Sequence, residues 1–102
     1  MPEKYEGIID IDKLVHEPAR LSIMALLSAV VCADFTFLLR ETELTRGNLS
    51  SHLSKLEEAG YVSLQKEIVG KIPRTTCRLS DTGRDVLKQY KRQMQQLLRR
   101  VP

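Results

Sequence analysis

Apolar residues change their spacing along this 102-residue chain, and the changes divide it into elements. An acidic, apolar opening with Ile8, Ile9, Ile11, Leu14 and Val15 comes first. Leu21, Met24, Leu27 and Val31 then recur at three- and four-residue intervals, the spacing of one buried helix face. Proline suits a helix's first position, so a helix is predicted from about Pro18 to Val31. Asp34 is placed as the N-cap of a short helix over Phe35 to Glu41, with Phe35, Leu38 and Leu39 toward the core. Thr42 to Leu44 reads as a turn. Thr45 caps a third helix running to about Ala59, and Gly60 ends it.

A period of two then takes over. Val62, Leu64 and Ile68 alternate with Ser63, Gln65 and Glu67, the pattern of a half-buried strand. Val69-Gly70-Lys71-Ile72-Pro73 is expected to turn. Arg74 to Leu79 forms a second strand, with Thr75, Cys77 and Leu79 on one side and Arg74, Thr76 and Arg78 on the other. Ser80 caps a last helix from about Asp81 to Arg100. The predicted class is mainly α with a small β-hairpin: a helix-turn-helix followed by a hairpin wing. The length fits one domain spanning 1–102, with the helix-turn-helix and wing over about 18–79 and a terminal helix over about 81–101.

Composition narrows the function classes. Hydrophobic residues make up 42% and charged residues 28%, which is globular rather than disordered. The apolar runs are too short to span a bilayer. Met1-Pro2-Glu3-Lys4 lacks the basic-then-apolar pattern of a leader, so a cytoplasmic protein without membrane contact is expected. The two cysteines, Cys32 and Cys77, are not expected to pair there. With two histidines and no CxxC, no metal site is expected. No phosphate-binding loop or catalytic motif occurs, so neither an enzyme nor a cofactor is expected.

The net charge of +3 hides an asymmetry. Residues 1–44 carry 4 basic and 8 acidic side chains, and residues 45–102 carry 12 and 5. A basic second half is either the footprint of a polyanion partner or a solubilising surface. The third helix bears on this choice. Leu49, Leu53 and Leu56 define its core face. Gly47, Ser51, Ser54, Lys55 and Glu58 lie opposite, flanked by Asn48 and Ser50. Small polar side chains let a helix approach a groove, and Asn, Ser and Arg can contact base edges or phosphates. The same face would also serve a plain solvated helix; its place before a wing favours the nucleic-acid role. His52 falls near the core edge and is expected to pack, hydrogen-bonded to backbone. On the hairpin, Lys71 and Arg74 are expected at the tip, with Lys66 and Arg78 on the strands. In the last helix, Leu87, Tyr90, Met94, Leu97 and Val101 form an a/d seam expected to pair with a second subunit. The acidic N-terminal segment could pack on the basic remainder of that helix.

Three stretches carry a family resemblance: Leu14-Val15-His16-Glu17-Pro18-Ala19-Arg20-Leu21; Leu44 through Val62; and Pro73 through Arg84. Together they resemble the opening helix, the recognition helix with its exit, and the wing-to-helix junction of small winged-helix regulators of the MarR/ArsR-like group. The resemblance implies a winged helix-turn-helix with N- and C-terminal dimerisation helices. It further implies a homodimer on a pseudo-palindromic double-stranded DNA site, with recognition helix 46–59 in the major groove and wing 62–79 on the backbone or in the minor groove. Carried onto this chain, the contacts are Thr45, Arg46, Gly47, Asn48, Ser50, Ser51 and Lys55 from the helix and Lys71 and Arg74 from the wing. ArsR-type metal sensors carry CxC near the second helix; here Val31-Cys32-Ala33-Asp34 holds one thiol, and Cys32 is expected to be a small buried residue. MarR-type proteins often bind a small effector, for which no residue here stands out. The expected function is a sequence-specific transcriptional regulator. The alternative is a winged-helix protein-interaction module without DNA binding.

Overall fold

The computed structural model describes residues 10–102, and within them the chain forms four helices and three strands. Helix α1 spans Pro18–Ser28, with Pro18 in its first turn and Glu17 as the N-cap, accepting from the Arg20 N–H at 2.8 Å. It stops three residues short of the expected Val31. The apolar spacing continues past Ser28, but the chain must turn there to bring Ala33 and Asp34 onto the sheet. Arg84 Nη1 donates to the Ser28 carbonyl left open at the helix end, at 3.2 Å. Val31 is consequently 79% exposed, and Cys32 is exposed rather than buried as expected.

Strand β1, Ala33–Asp34, was not foreseen. It pairs antiparallel with the last strand, Ala33 with Cys77 and Asp34 with Thr76. Asp34 then caps helix α2, Phe35–Thr42, accepting from Phe37 N–H at 2.7 Å. That helix ends at Glu43 in the left-handed region, φ 58°. Thr45 caps helix α3, Arg46–Glu58, accepting from Asn48 N–H at 3.1 Å. Leu49, Leu53 and Leu56 are buried beneath it, as their spacing requires. Gly60 follows at φ 82°, a conformation few other residues adopt.

Strands β2, Val62–Val69, and β3, Ile72–Leu79, pair antiparallel along their full length, in a sheet ordered β1-β3-β2. The expected five-residue turn is only Gly70-Lys71, with Gly70 at φ 67°. Pro73 sits inside a strand because β1 covers only Cys77 and Thr76; farther out β3 is an edge, where proline is tolerated. The hairpin outruns the body. Val62 is buried and Leu64 half-buried, but Ile68 is 73% exposed, correcting the half-buried pattern expected along the whole strand.

Helix α4 spans Asp81–Leu98, capped by Ser80, whose Oγ accepts from Gly83 N–H at 2.9 Å. The expected end near Arg100 is too long, and Val101 lies beyond the helix. Residues 10–17 form turns rather than a helix, and Ile8 and Ile9 lie outside the described residues. The core joins Val15, Ile23, Met24 and Leu27 to Leu38, Leu49, Leu53 and Leu56. Val62, Cys77 and Leu79 supply the sheet side, and Tyr90 closes the cluster from α4. Leu38 is fully buried as expected, whereas Phe35 and Leu39 pack only partly against the core.

Candidate nucleic-acid interface

Helix α3 is held from behind, which presents its other side to solvent. Besides its three leucines, His52 ties it to α1: Arg20 Nη1 and His52 Nδ1 lie 3.1 Å apart. A guanidinium only donates, so His52 Nδ1 is the acceptor. His52 therefore bonds to a side chain, not to backbone as expected. Arg20 Nε donates to the Leu14 carbonyl at 2.6 Å, extending the tie to the N-terminal segment. The amide of Arg20, with the Arg20 charge and the Ala19 amide as lesser causes, holds the Glu17 carboxyl below its usual range against some desolvation.

The freed side carries the expected residues. Thr45, Arg46, Gly47, Asn48, Ser50, Ser51, Ser54 and Lys55 are all exposed. No acid lies in the first turn, and Glu57 and Glu58 fall in the last. The Arg46 guanidinium lies over the Phe35 ring, 5.9 Å from its centroid. That contact, a weak cation–π pair in the open, parks Arg46 at the start of the helix beside its unpaired N–H groups, a combination suited to an anion.

The wing distributes its cations unevenly. Lys71 sits in the turn, as expected, and is exposed. Arg74 is not at the tip but inside β3, opposite Glu67. Its Nη2 lies 3.8 Å from Asp34 Oδ2, with both side chains substantially open to water, so the pair contributes little. Two grooves separate α3 from the wing. One, about 340 Å³, is lined by Phe35, Ser50, Ser54, Lys66 and Thr75 among others. The other, about 490 Å³, brings Arg46 and Arg74 together with Phe35, Ile72 and Pro73. Lys55 and Lys71 line neither. Phe35 and Thr75 were missed as groove residues. The cross-strand pair Lys66–Thr75 becomes readable only once the turn is taken as two residues.

The seam expected on α4 divides. Tyr90 is buried inside the chain, and its hydroxyl is 2.8 Å from His16 Nδ1. Leu87 and Met94 are half-buried against the core, Leu97 is half-buried, and Val101 is 64% exposed. Leu21 and Ala25 of α1 with Leu87, Tyr90, Met94 and Leu98 of α4 line an apolar groove of about 360 Å³. Elsewhere, burial, with a lesser contribution from the Glu57 charge, pushes the Cys77 thiol up to about 11. Burial first, and the hydrogen bond from Tyr61 to Asp12 second, push the Tyr61 hydroxyl up to about 12. Among the described residues, no group of three or more His, Cys, Asp or Glu side chains could hold a metal ion, and no helix is long and apolar enough to cross a membrane.

Comparison with known proteins places this arrangement. The chain is 33% identical over 89 residues to an uncharacterized protein of Methanocaldococcus jannaschii, covering 87% of this chain and 97% of that one. It is 30% identical to the transcriptional regulator homologue protein from Pyrococcus horikoshii, whose structure superposes with a TM-score of 0.86 over 92% of this chain and 95% of that one. A MarR family transcriptional regulator from Streptomyces coelicolor, solved in complex with DNA, shares the fold at 19% identity and a TM-score of 0.71, over 89% of this chain and 61% of that one. The family model for the winged helix DNA-binding domain matches residues 19–98, nearly the whole of the described chain, and the protein belongs to that family.

Proposed function

We propose that this protein is a sequence-specific double-stranded DNA-binding transcriptional regulator that acts as a homodimer. The observation that carries this is the solvent face of α3: from Arg46 to Lys55 its exposed side chains are small, polar or basic, with no acid among them. Asn48, Ser50 and Ser51 have the donors and acceptors to read base edges in a major groove. Arg46, Lys55, Lys71 and Arg74 supply charge for phosphates, and Thr45 and Gly47 let the backbone approach. The wing lies beside the helix and would follow the backbone or the minor groove. A DNA target of this kind is met in the cytoplasm, and no catalytic step, cofactor or metal enters the mechanism.

The partner in the dimer is a second copy, joined through the α1–α4 groove and the exposed Leu98 and Val101. Such apolar surface needs cover. Two-fold symmetry then places half-sites about 10 bp apart, or a multiple of that. Selection from random duplexes tests the proposal. Recovery of a two-fold-symmetric motif at that spacing is expected, and recovery of no motif overturns it.

A further inference from the structure

The outer end of the wing carries side chains that phosphate contact alone does not call for. Ile68 is 73% exposed, Val69 50% and Ile72 71%, with Pro73 exposed beside them. The register pairs Ile68 with Pro73 and Val69 with Ile72. Side chains alternate between the faces of a strand, so these two pairs lie on opposite faces. The tip is therefore apolar on both sides. Among the described residues nothing covers it, because Leu64 and Cys77 form the outermost cross-strand pair that reaches the core.

Cations bracket the tip. Lys66 stands on β2, Arg74 on β3 and Lys71 in the turn between them, against Glu67 as the one acid of the hairpin. An apolar protein partner would not favour that fringe, whereas a polyanion does. The tip is also continuous with the grooves it shares with α3, since Ile72 and Pro73 line the groove that holds Arg46.

We propose that the wing tip is a wedge for duplex DNA. Ile68 and Ile72, backed by Val69 and Pro73, enter the minor groove and lodge against a base step while Lys66, Lys71 and Arg74 hold the flanking phosphates. The minor groove is about 6 Å wide, narrower than a paired ribbon with its side chains, so only the tip side chains enter and the groove opens as the step unstacks. Apolar side chains of this kind unstack a step and bend the duplex. The wedge reads deformability rather than base edges, which adds a preference for flexible pyrimidine–purine steps beside the half-site. This rests on the DNA-binding function proposed above and adds distortion of the DNA to it.

The test uses the full chain and a selected duplex labelled at both ends with a fluorophore pair. Wild-type protein and the double variant Ile68→Ser, Ile72→Ser are titrated at several salt concentrations. Both side chains are exposed, so the variant keeps the fold, and its thermal transition checks this. Wild-type binding is expected to shorten the end-to-end distance. The variant is expected to bind about tenfold more weakly and leave the duplex straighter, with an unchanged slope of log affinity against log salt because no cation is lost. Equal affinity and equal bending for the two proteins overturn the wedge while leaving DNA binding intact. Loss of self-association without loss of DNA affinity overturns it too, and assigns the tip to a contact between copies. Failure of the wild type to bind any duplex overturns the function itself.

Discussion

Gly83 shows how one residue can join two parts of this fold. A Cβ at that position would lie 2.1 Å from the Tyr61 carbonyl oxygen, whose acceptor is already engaged by the Ser80 N–H at 3.0 Å. Backbone cannot yield there as a flexible side chain could, so Gly83→Ala should cost about 3 kcal/mol, read as a lower urea midpoint. Tyr61 and Cys77 set an alkaline limit. Each keeps its proton in the folded chain where the unfolded chain would release it: Cys77 up to about 11 from 9.0, Tyr61 up to about 12 from 10.0. Their stabilisation is full below about pH 9 and is lost as pH rises through 12. The urea midpoint should fall across that window, and Tyr61→Phe should flatten the fall above pH 10. A midpoint that stays level from pH 9 to 12 would contradict this. The capping residues Asp34, Thr45 and Ser80 were legible because capping is local, a side chain reaching an N–H three residues on. Glu17 was not, since glutamate lies outside the usual capping set. The Arg20–His52 tie joins residues 32 apart, and no local pattern announces it.

At the scale of elements, the periodicity of α3 was sufficient. Three leucines at four- and three-residue spacing set its buried side and thereby its solvent side. Thr45→Ala should remove its cap and lower stability by about 1 kcal/mol, measurable as a shift in thermal midpoint. Lys55→Glu, a charge reversal on the exposed face, should weaken duplex binding while leaving that midpoint nearly unchanged; unaltered affinity would remove Lys55 from the interface. Lys71→Ala should make the salt dependence shallower by about one unit of slope. The wing was less legible than the helix. Gly70 and Pro73 together read as a long turn, yet Pro73 is accommodated in β3 because β1 leaves that edge open. β1 itself is two residues held by pairing to a strand more than forty residues away, and so short a segment carries no period. The end of α1 was misplaced for a related reason: Val30 and Val31 extend the apolar rhythm, but their backbone serves the crossing to the sheet.

Across the whole molecule, exposed apolar surface falls in two places. One is the wing tip, set among Lys66, Lys71 and Arg74, and the other is Leu98 and Val101 beside the α1–α4 groove. The spacing and length of α4 favour a partner for its seam over packing on its own domain. Tyr90 instead turns inward, anchored to His16, because the N-terminal segment folds across it and supplies a hydrogen-bonding group. The surface left for the proposed dimer is therefore smaller and shifted toward the end of α4. Leu98→Glu, at a position 59% exposed, should leave the fold intact and convert the proposed dimer to a monomer in sedimentation equilibrium; a persistent dimer would move the interface elsewhere. The most direct measurement is the affinity of the wild-type chain for its selected duplex and for a scrambled one, over a salt series. Specific binding should exceed non-specific binding by about a thousandfold or more, and log affinity should fall steeply with log salt for both duplexes. Equal affinity for the two duplexes, or an affinity indifferent to salt, would contradict a DNA-reading protein.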